Sequence, residues 1–303
     1  MYKVAIIGAG SPEAGELIRL LVHHPDVELS VLYDESQGGV PVVQVHHGLV
    51  GDTDLTMTSQ ANLCEIDVVF LCGDGDLSAR LAENPDELGD SCVIDLRPAR
   101  RGDEDGFEYG LSEINRKPLV RGARRAVTAD PIASVALVAL YPLASHLLLG
   151  GSLNLHADCR EDLRGADSLS KSEKEIGERL QMVQQSFTGE VNLTAGEADS
   201  ARVVRIQTVL PIGLSLEEIE RIYDSVYDDH NFTFVLHRKV EDKEVEGTNK
   251  CLVQISKPSA DELSVEAIAD GRLRGGAGEA VHLMNLLLGL HEKTGLELKA
   301  SIF

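Results

Sequence analysis

The first twenty-one residues restrict the fold of this 303-residue chain more than any other segment. Val4-Ala5-Ile6-Ile7 is a short apolar run that enters Gly8-Ala9-Gly10-Ser11-Pro12-Glu13-Ala14-Gly15, after which Leu17, Ile18, Leu20 and Leu21 recur at helical spacing. Strand, glycine turn and helix in that order open a doubly wound α/β sheet. Val27 to Tyr33 alternates its side chains like a second strand. Val68 to Cys72 and Val93 to Leu96 are continuous apolar runs, the pattern of central parallel strands covered on both faces.

A Rossmann turn places glycine where backbone meets pyrophosphate and leaves helix-start N–H groups to hold the anion. Gly8, Gly10 and Gly15 meet this in part, but the spacing is GxGxxxxG rather than GxGxxG. Pro12 removes one N–H, and Glu13 sets a negative charge where the pyrophosphate would lie. Asp34 follows the second strand, with Glu35 beside it. A carboxylate there accepts from a ribose hydroxyl and repels a 2′-phosphate, so NAD is easier to hold than NADP. The positions a dinucleotide would meet are Gly8, Gly10, Ser11, Glu13 and Asp34. The competing reading is purely structural: the glycines let helix pack on strand, and the acids are solvated.

Beyond Pro131 the pattern changes. A long helix of small and apolar residues from Ala133 to Leu149 precedes alternating runs at Arg202–Val209, Phe232–Leu236, Cys251–Ile255 and Leu263–Ala269. These predict an α+β domain with a largely antiparallel sheet. Asp158 to Gly177 is polar, lacks a clear period, and reads as loop or partly disordered chain, whereas Glu279–His291 is apolar enough for a buried helix. The chain length suits about two domains. The expected organisation is a Rossmann-like domain over 1–130, an α+β domain over 131–275, and a C-terminal helix and tail over 276–303 that packs back on the first.

Lys and Arg number 28 against 50 Asp and Glu, a formal charge of −22. That field repels phosphate backbones and anionic lipid, so neither nucleic acid nor a membrane surface is an expected partner. No apolar run approaches a bilayer span, and the N-terminus shows no secretory pattern, so a cytoplasmic location is expected. The five cysteines, Cys64, Cys72, Cys92, Cys159 and Cys251, are odd in number and lack CxxC spacing, which argues against disulfides and zinc. His23-His24 and His46-His47 resemble metal pairs, but adjacent residues on a strand point apart, so no metal site is expected.

Several segments together carry a resemblance that spans nearly the whole chain. They include Ala14-Gly15-Glu16-Leu17-Ile18-Arg19-Leu20-Leu21, Val45-His46-His47-Gly48-Leu49-Val50-Gly51 and Tyr109-Gly110-Leu111-Ser112-Glu113-Ile114-Asn115-Arg116. Thr248-Asn249-Lys250-Cys251-Leu252 and Asp270 to Asn285, with its KGAxGQAV-like stretch, continue it. The chain resembles N-acetyl-γ-glutamyl-phosphate reductase, the arginine-biosynthetic member of the semialdehyde dehydrogenase group. The resemblance implies a Rossmann domain joined to a catalytic and dimerisation domain, and reduction of an acyl phosphate with a nicotinamide cofactor. That chemistry needs a thiolate to displace phosphate and a histidine to manage protons.

Both are missing at the matching positions. Where the family resembles NPGCYPT, this chain reads Ala129-Asp130-Pro131-Ile132-Ala133-Ser134-Val135-Ala136, so Ala133 stands in the cysteine's place. The HxHxPEI-like motif reads Ser170-Lys171-Ser172-Glu173-Lys174-Glu175-Ile176, so serines stand for both histidines. The glycine-rich STGAG-like segment is replaced around Ala157–Asp162, and the first phosphate loop has Ser11 and Pro12 where the family has a glycine and an aromatic residue. Cys159, beside the replaced loop, is a candidate displaced thiol, but Asp158, Glu161 and Asp162 would raise its pKa. The expectation is a catalytically inactive homologue with a binding or regulatory role and NAD(P) binding weak or lost. The alternative is an active reductase with a divergent site. A homo-oligomer is expected through the second domain, whose sheet would bury an apolar outer face, and an arginine-pathway enzyme is the other partner considered.

Overall fold

The computed structural model describes residues 1–97 and 106–301, and the chain divides into two compact units. The first comprises Met1–Ala129 with Gly276–Glu297, and the second comprises Asp130–Gly275 with the residues from Leu298 onward. The expected C-terminal segment is thus divided between the two.

The first unit is built on β1 (Tyr2–Ile7), β2 (Val27–Tyr33), β3 (Val68–Leu71), β4 (Cys92–Asp95), β5 (Glu108–Tyr109) and β6 (Arg125–Val127). They form one sheet in the order β2-β1-β3-β4-β6-β5, parallel at every pairing. Every residue of β3 and β4 is buried, as continuous apolar runs require of central strands. Helices α1 (Pro12–Leu21), α2 (Val42–Val45), α3 (Asp76–Glu83) and α4 (Ser112–Val120) connect the strands. Helix α1 starts where its sequence dictates: Ser11 caps it, its Oγ accepting from the Ala14 N–H at 3.2 Å, and Pro12 takes the first turn, where its missing N–H costs nothing.

The second unit carries α5 (Pro131–Ser145), β7 (Leu153–Cys159), α6 (Ala166–Val183), β8 (Val191–Glu197), β9 (Val203–Leu210), α7 (Leu216–Tyr227), β10 (Thr233–Leu236), β11 (Cys251–Ser259) and β12 (Glu262–Asp270). The sheet order is β10-β11-β12-β9-β7-β8. Its centre is antiparallel, but β10 runs parallel to β11 and β7 parallel to β8, so the sheet is mixed. The final helix, α8 (Ala277–Leu288), returns to the first unit, packs on α1, α4 and β4, and stops at Gly289 in the left-handed region, φ +68°.

Two expectations are corrected. Residues 158–177 are not a loop: β7 runs to Cys159, and Ala166–Val183 is an 18-residue helix. Its buried face is Ser172, Glu175, Ile176, Arg179 and Leu180, a helical stripe at i, i+3, i+4, i+7 and i+8. Three of the five are polar, which hid the period from a reading based on hydrophobicity. The open face of the second sheet is also not apolar. Inward Leu155, Ala157 and Ile206 alternate with outward Asn154, His156 and Gln207, and a shallow depression there is lined further by Asn192, Thr194 and Glu266. Exposed apolar side chains on these strands are Val209 and Phe234.

Helix α5 is buried along almost its whole length, so its backbone must be satisfied inside the protein. Pro142 within it has no N–H to offer the Val138 carbonyl four residues back. The Tyr227 hydroxyl donates to that carbonyl at 2.6 Å, and Tyr223 donates to the next one, Ala139, also at 2.6 Å. Burial pushes the Tyr223 hydroxyl well above its ordinary pKa, so it stays a donor. No helix among the described residues is long and apolar enough to cross a membrane. Tyr227→Phe should lower unfolding stability by about 1–3 kcal/mol, because the Val138 carbonyl then lacks both its helical donor and its replacement. Urea denaturation checks this, and an unchanged midpoint would show that the hydroxyl bond carries no stability.

Candidate functional site

Two local arrangements, one in each unit, hold the residues the sequence singles out. In the first, the end of β1 crosses so close to the end of β3 that a Cβ on Gly8 would lie 2.0 Å from the Cys72 carbonyl oxygen; Gly8 also has φ +80°. No other residue fits there. Gly10 lets its backbone touch Asp34: its N–H donates to Oδ2 at 3.0 Å, and a Cβ would sit 2.6 Å from the same oxygen. The other oxygen, Oδ1, accepts from the Ser36 N–H at 3.0 Å, the Ser36 hydroxyl at 2.8 Å and the Gln37 N–H at 3.1 Å. Asp34 is therefore first a clasp for its own loop, although Oδ2 keeps capacity for one further donor. Glu13 lies in the first turn of α1. Beyond β4, Arg97 is spent on Asp95 in a buried two-pronged pair at 3.0–3.1 Å and adds no net charge.

His46 was missed as part of this loop. Its Nε2 lies 2.7 Å from the Ala9 carbonyl, to which the Nε2–H tautomer donates, and a Cβ on Gly15 would be 2.6 Å from its Nδ1. The imidazole thus packs over Gly15, the fourth residue of α1. His46 and His47 stand after the single turn α2 rather than on a strand, and His24 is buried with Nε2 3.2 Å from the Asn285 Oδ1. Among the described residues no three His, Cys, Asp or Glu side chains gather as cation ligands.

In the second unit, Asp130 brings together Ala133 and Ser172, the residues matched in sequence to the family's cysteine and histidine. It caps α5, its Oδ1 accepting from the N–H groups of Ile132 at 2.9 Å and Ala133 at 3.2 Å. The same oxygen accepts the Ser172 hydroxyl at 2.8 Å, shorter than that hydroxyl's 3.1 Å approach to the Ser168 carbonyl. Ala133 and Ser172 are both wholly buried. Glu175, one turn further along α6, accepts the Asp130 N–H at 3.1 Å, and Arg274 donates from Nε to the Ser134 hydroxyl at 3.1 Å. Asp130, Glu175 and Arg274 had no roles in the sequence reading, and the D-P pair opening an apolar helix was the available cap signal.

Cys159 ends β7 on the buried side, and its thiol is pushed up to about 11, chiefly by burial. Arg164 and Arg160 pull it down, while Asp130 and Asp162 add to the rise. The expected rise is present and Asp162 contributes to it, but burial is its largest cause, and neither Asp158 nor Glu161 is among the causes. Asp158, one residue away, faces the other side of the strand, with Oδ1 3.2 Å from His156 Nε2.

Residues 3–121 match the family described as the NAD binding domain of semialdehyde dehydrogenase. N-acetyl-gamma-glutamyl-phosphate reductase of Parabacteroides distasonis is 36% identical over an alignment of 324 positions that spans all of both chains, and that of Phocaeicola vulgatus is 32% identical over the same span. The chain belongs to the N-acetyl-gamma-glutamyl-phosphate reductase family. Among solved structures, aspartate semialdehyde dehydrogenase II of Vibrio cholerae, complexed with ASA, superposes with a TM-score of 0.74 at 14% identity, covering 95% of this chain and 98% of that one. The Candida albicans aspartate semialdehyde dehydrogenase with NADP gives 0.71 at 14% identity over the same shares. These structural likenesses show a shared semialdehyde dehydrogenase fold.

With a thiol pKa near 11, about one Cys159 in a thousand is ionised at pH 8, since ionisation grows as pH rises toward the pKa. Iodoacetamide at that pH should label exposed Cys64 and leave Cys159 untouched until the chain is unfolded. Peptide mapping reads the outcome, and early labelling of Cys159 would mean an accessible, activated thiol.

Proposed function

We propose that this chain is a non-catalytic member of the reductase family that keeps the fold for binding or regulation. The carrying observation is the Asp130 clasp. Where the reaction needs a thiolate at the head of α5, Ala133 offers only a methyl group, and Ser172, at the histidine's position, donates its proton to the carboxylate that caps the helix. An alkyl side chain cannot displace phosphate from an acyl phosphate. An unactivated serine hydroxyl, with a pKa far above neutral, cannot shuttle protons as an imidazole does. Cys159 does not replace them, because burial holds it protonated.

The first unit would hold a nicotinamide dinucleotide weakly. The adenosine half has Asp34 Oδ2 to meet a ribose hydroxyl, but Pro12 and the neighbouring acids oppose the phosphates, and a 2′-phosphate most of all. NAD is thus favoured over NADP. The reading also places the protein in the cytosol.

The active alternative is tested directly. Purified protein incubated with N-acetylglutamate semialdehyde, inorganic phosphate and either oxidised nicotinamide cofactor should give no reduced cofactor above the blank. Phosphate-dependent turnover would overturn the non-catalytic reading, and its loss in Cys159→Ala would locate the displaced nucleophile.

Self-association completes the reading, with an arginine-pathway enzyme as the alternative partner. The open sheet face offers Asn154, Asn192, Thr194 and Gln207 for hydrogen bonding rather than an apolar surface, so a two-fold pair formed there is polar. At −22 per chain, the copies repel, and added salt screens that repulsion. Light scattering should show dimer mass, with association strengthening as ionic strength rises; a monomer mass at both low and high salt would remove the dimer.

A further inference from the structure

We propose, building on the reading that dinucleotide binding is weakened, that the cavity at the carboxyl ends of β1, β2 and β3 takes a nucleoside without phosphate in preference to any nucleotide. The cavity has a volume of about 360 Å³ and lies wholly within the first unit. That is the lower part of the range in which small-molecule pockets fall. Ile7, Tyr33 and Leu77 supply apolar wall for a base, while Asp34, Glu35 and Asp76 line the remainder. Asp34 is the one carboxylate placed by its loop. With Oδ2 accepting a single N–H from Gly10 at 3.0 Å, it retains a lone pair for a sugar hydroxyl at the end of β2.

The phosphate half of the site has been turned inward. A glycine loop binds phosphate by aiming its amides outward. Here the N–H groups of Gly8 and Ala9 both donate to the Tyr33 carbonyl, at 2.9 and 2.8 Å. Those of Ser11 and Gly15 donate to the carbonyls of Gly8 and Ser11, at 3.0 and 3.1 Å. The Gly10 amide goes to Asp34, the Ala14 amide to the Ser11 hydroxyl, and Pro12 has none. Six amides of the turn are thus committed to the protein itself.

Charge opposes phosphate as well. No lysine or arginine lines the cavity among the described residues, and Glu35 and Asp76 are exposed at its edge. The N-terminus of α3 borders the cavity, but Asp76 in its first turn answers the helix dipole with the protein's own negative charge. A neutral nucleoside meets none of this repulsion. A monophosphate meets two exposed carboxylates, each of which lowers its affinity by about threefold through water, and a dinucleotide brings further anionic groups.

The test is calorimetry on the full chain at low ionic strength with adenosine, AMP, NAD and NADP. Adenosine should bind tightest, AMP about tenfold more weakly, and NAD and NADP more weakly still, in that order. The double variant Glu35→Gln, Asp76→Asn removes exposed charge without touching the Asp34 clasp. It should strengthen AMP binding relative to adenosine by about threefold to tenfold. Asp34→Asn should weaken adenosine, with circular dichroism reporting whether the loop's fold survives. AMP or NAD binding as tightly as adenosine, no adenosine binding at all, or an AMP-to-adenosine ratio unmoved in the double variant would each overturn the proposal. The reductase assay fails or succeeds separately: turnover would sink the non-catalytic reading, weak binding of every ligand would sink only the nucleoside, and NAD or NADP binding tightest would sink the weakened-dinucleotide reading with it.

Discussion

The second unit depends on one carboxylate oxygen. Helix α5 is buried over nearly its whole length, and a buried helix start leaves N–H groups that water cannot reach. Asp130 Oδ1 takes two of them and, through the Ser172 hydroxyl, fastens α6 to the same point. Glu175 then answers the N–H of Asp130 itself. A cap of this kind contributes about 1 kcal/mol in general. Its larger consequence is positional, because α5 carries Ala133 and α6 carries Ser172, and the clasp links the two helices there with hydrogen bonds.

The glycine loop of the first unit follows the same logic with different atoms. Asp34 gathers Gly10, Ser36 and Gln37 around one side chain, and His46 reaches the Ala9 carbonyl from across the helix start. Polar groups that could face a ligand are spent on backbone satisfaction. Fold and chemistry rest on different groups, because packing depends on glycine clearances and apolar strands, whereas a site depends on the side chains placed in it. The clearances survive at Gly8 and Gly15, and the buried runs survive in β3 and β4.

The parallel sheet was legible because β3 and β4 are apolar without interruption and because Gly8 and Gly10 punctuate the chain where strand gives way to helix. The mixed edges of the second sheet were not. Strand direction follows from where α6 carries the chain between β7 and β8, and α6 itself was hidden by Ser172, Glu175 and Arg179 on its buried face. Ser172 and Glu175 both meet Asp130, more than forty residues back along the chain, a circumstance that no local window contains. His46 escaped notice for the same reason: its partner lies 37 residues away.

By itself the sequence determined which groups are available: a methyl at residue 133, hydroxyls at residues 170 and 172, a proline in the phosphate turn, and fifty acids against twenty-eight bases. These are chemical identities, and no folding can put a thiolate at residue 133 or an imidazole at residues 170 and 172. Only the tertiary structure decided how the remaining groups are used. It directed the loop amides inward, gave Asp34 and Asp130 to backbone N–H groups, and buried Cys159 where its proton is held. The reason is physical: hydrogen-bond satisfaction and desolvation depend on what surrounds an atom in space, and residues 34 and 10, or 130 and 172, become neighbours only when the chain has folded.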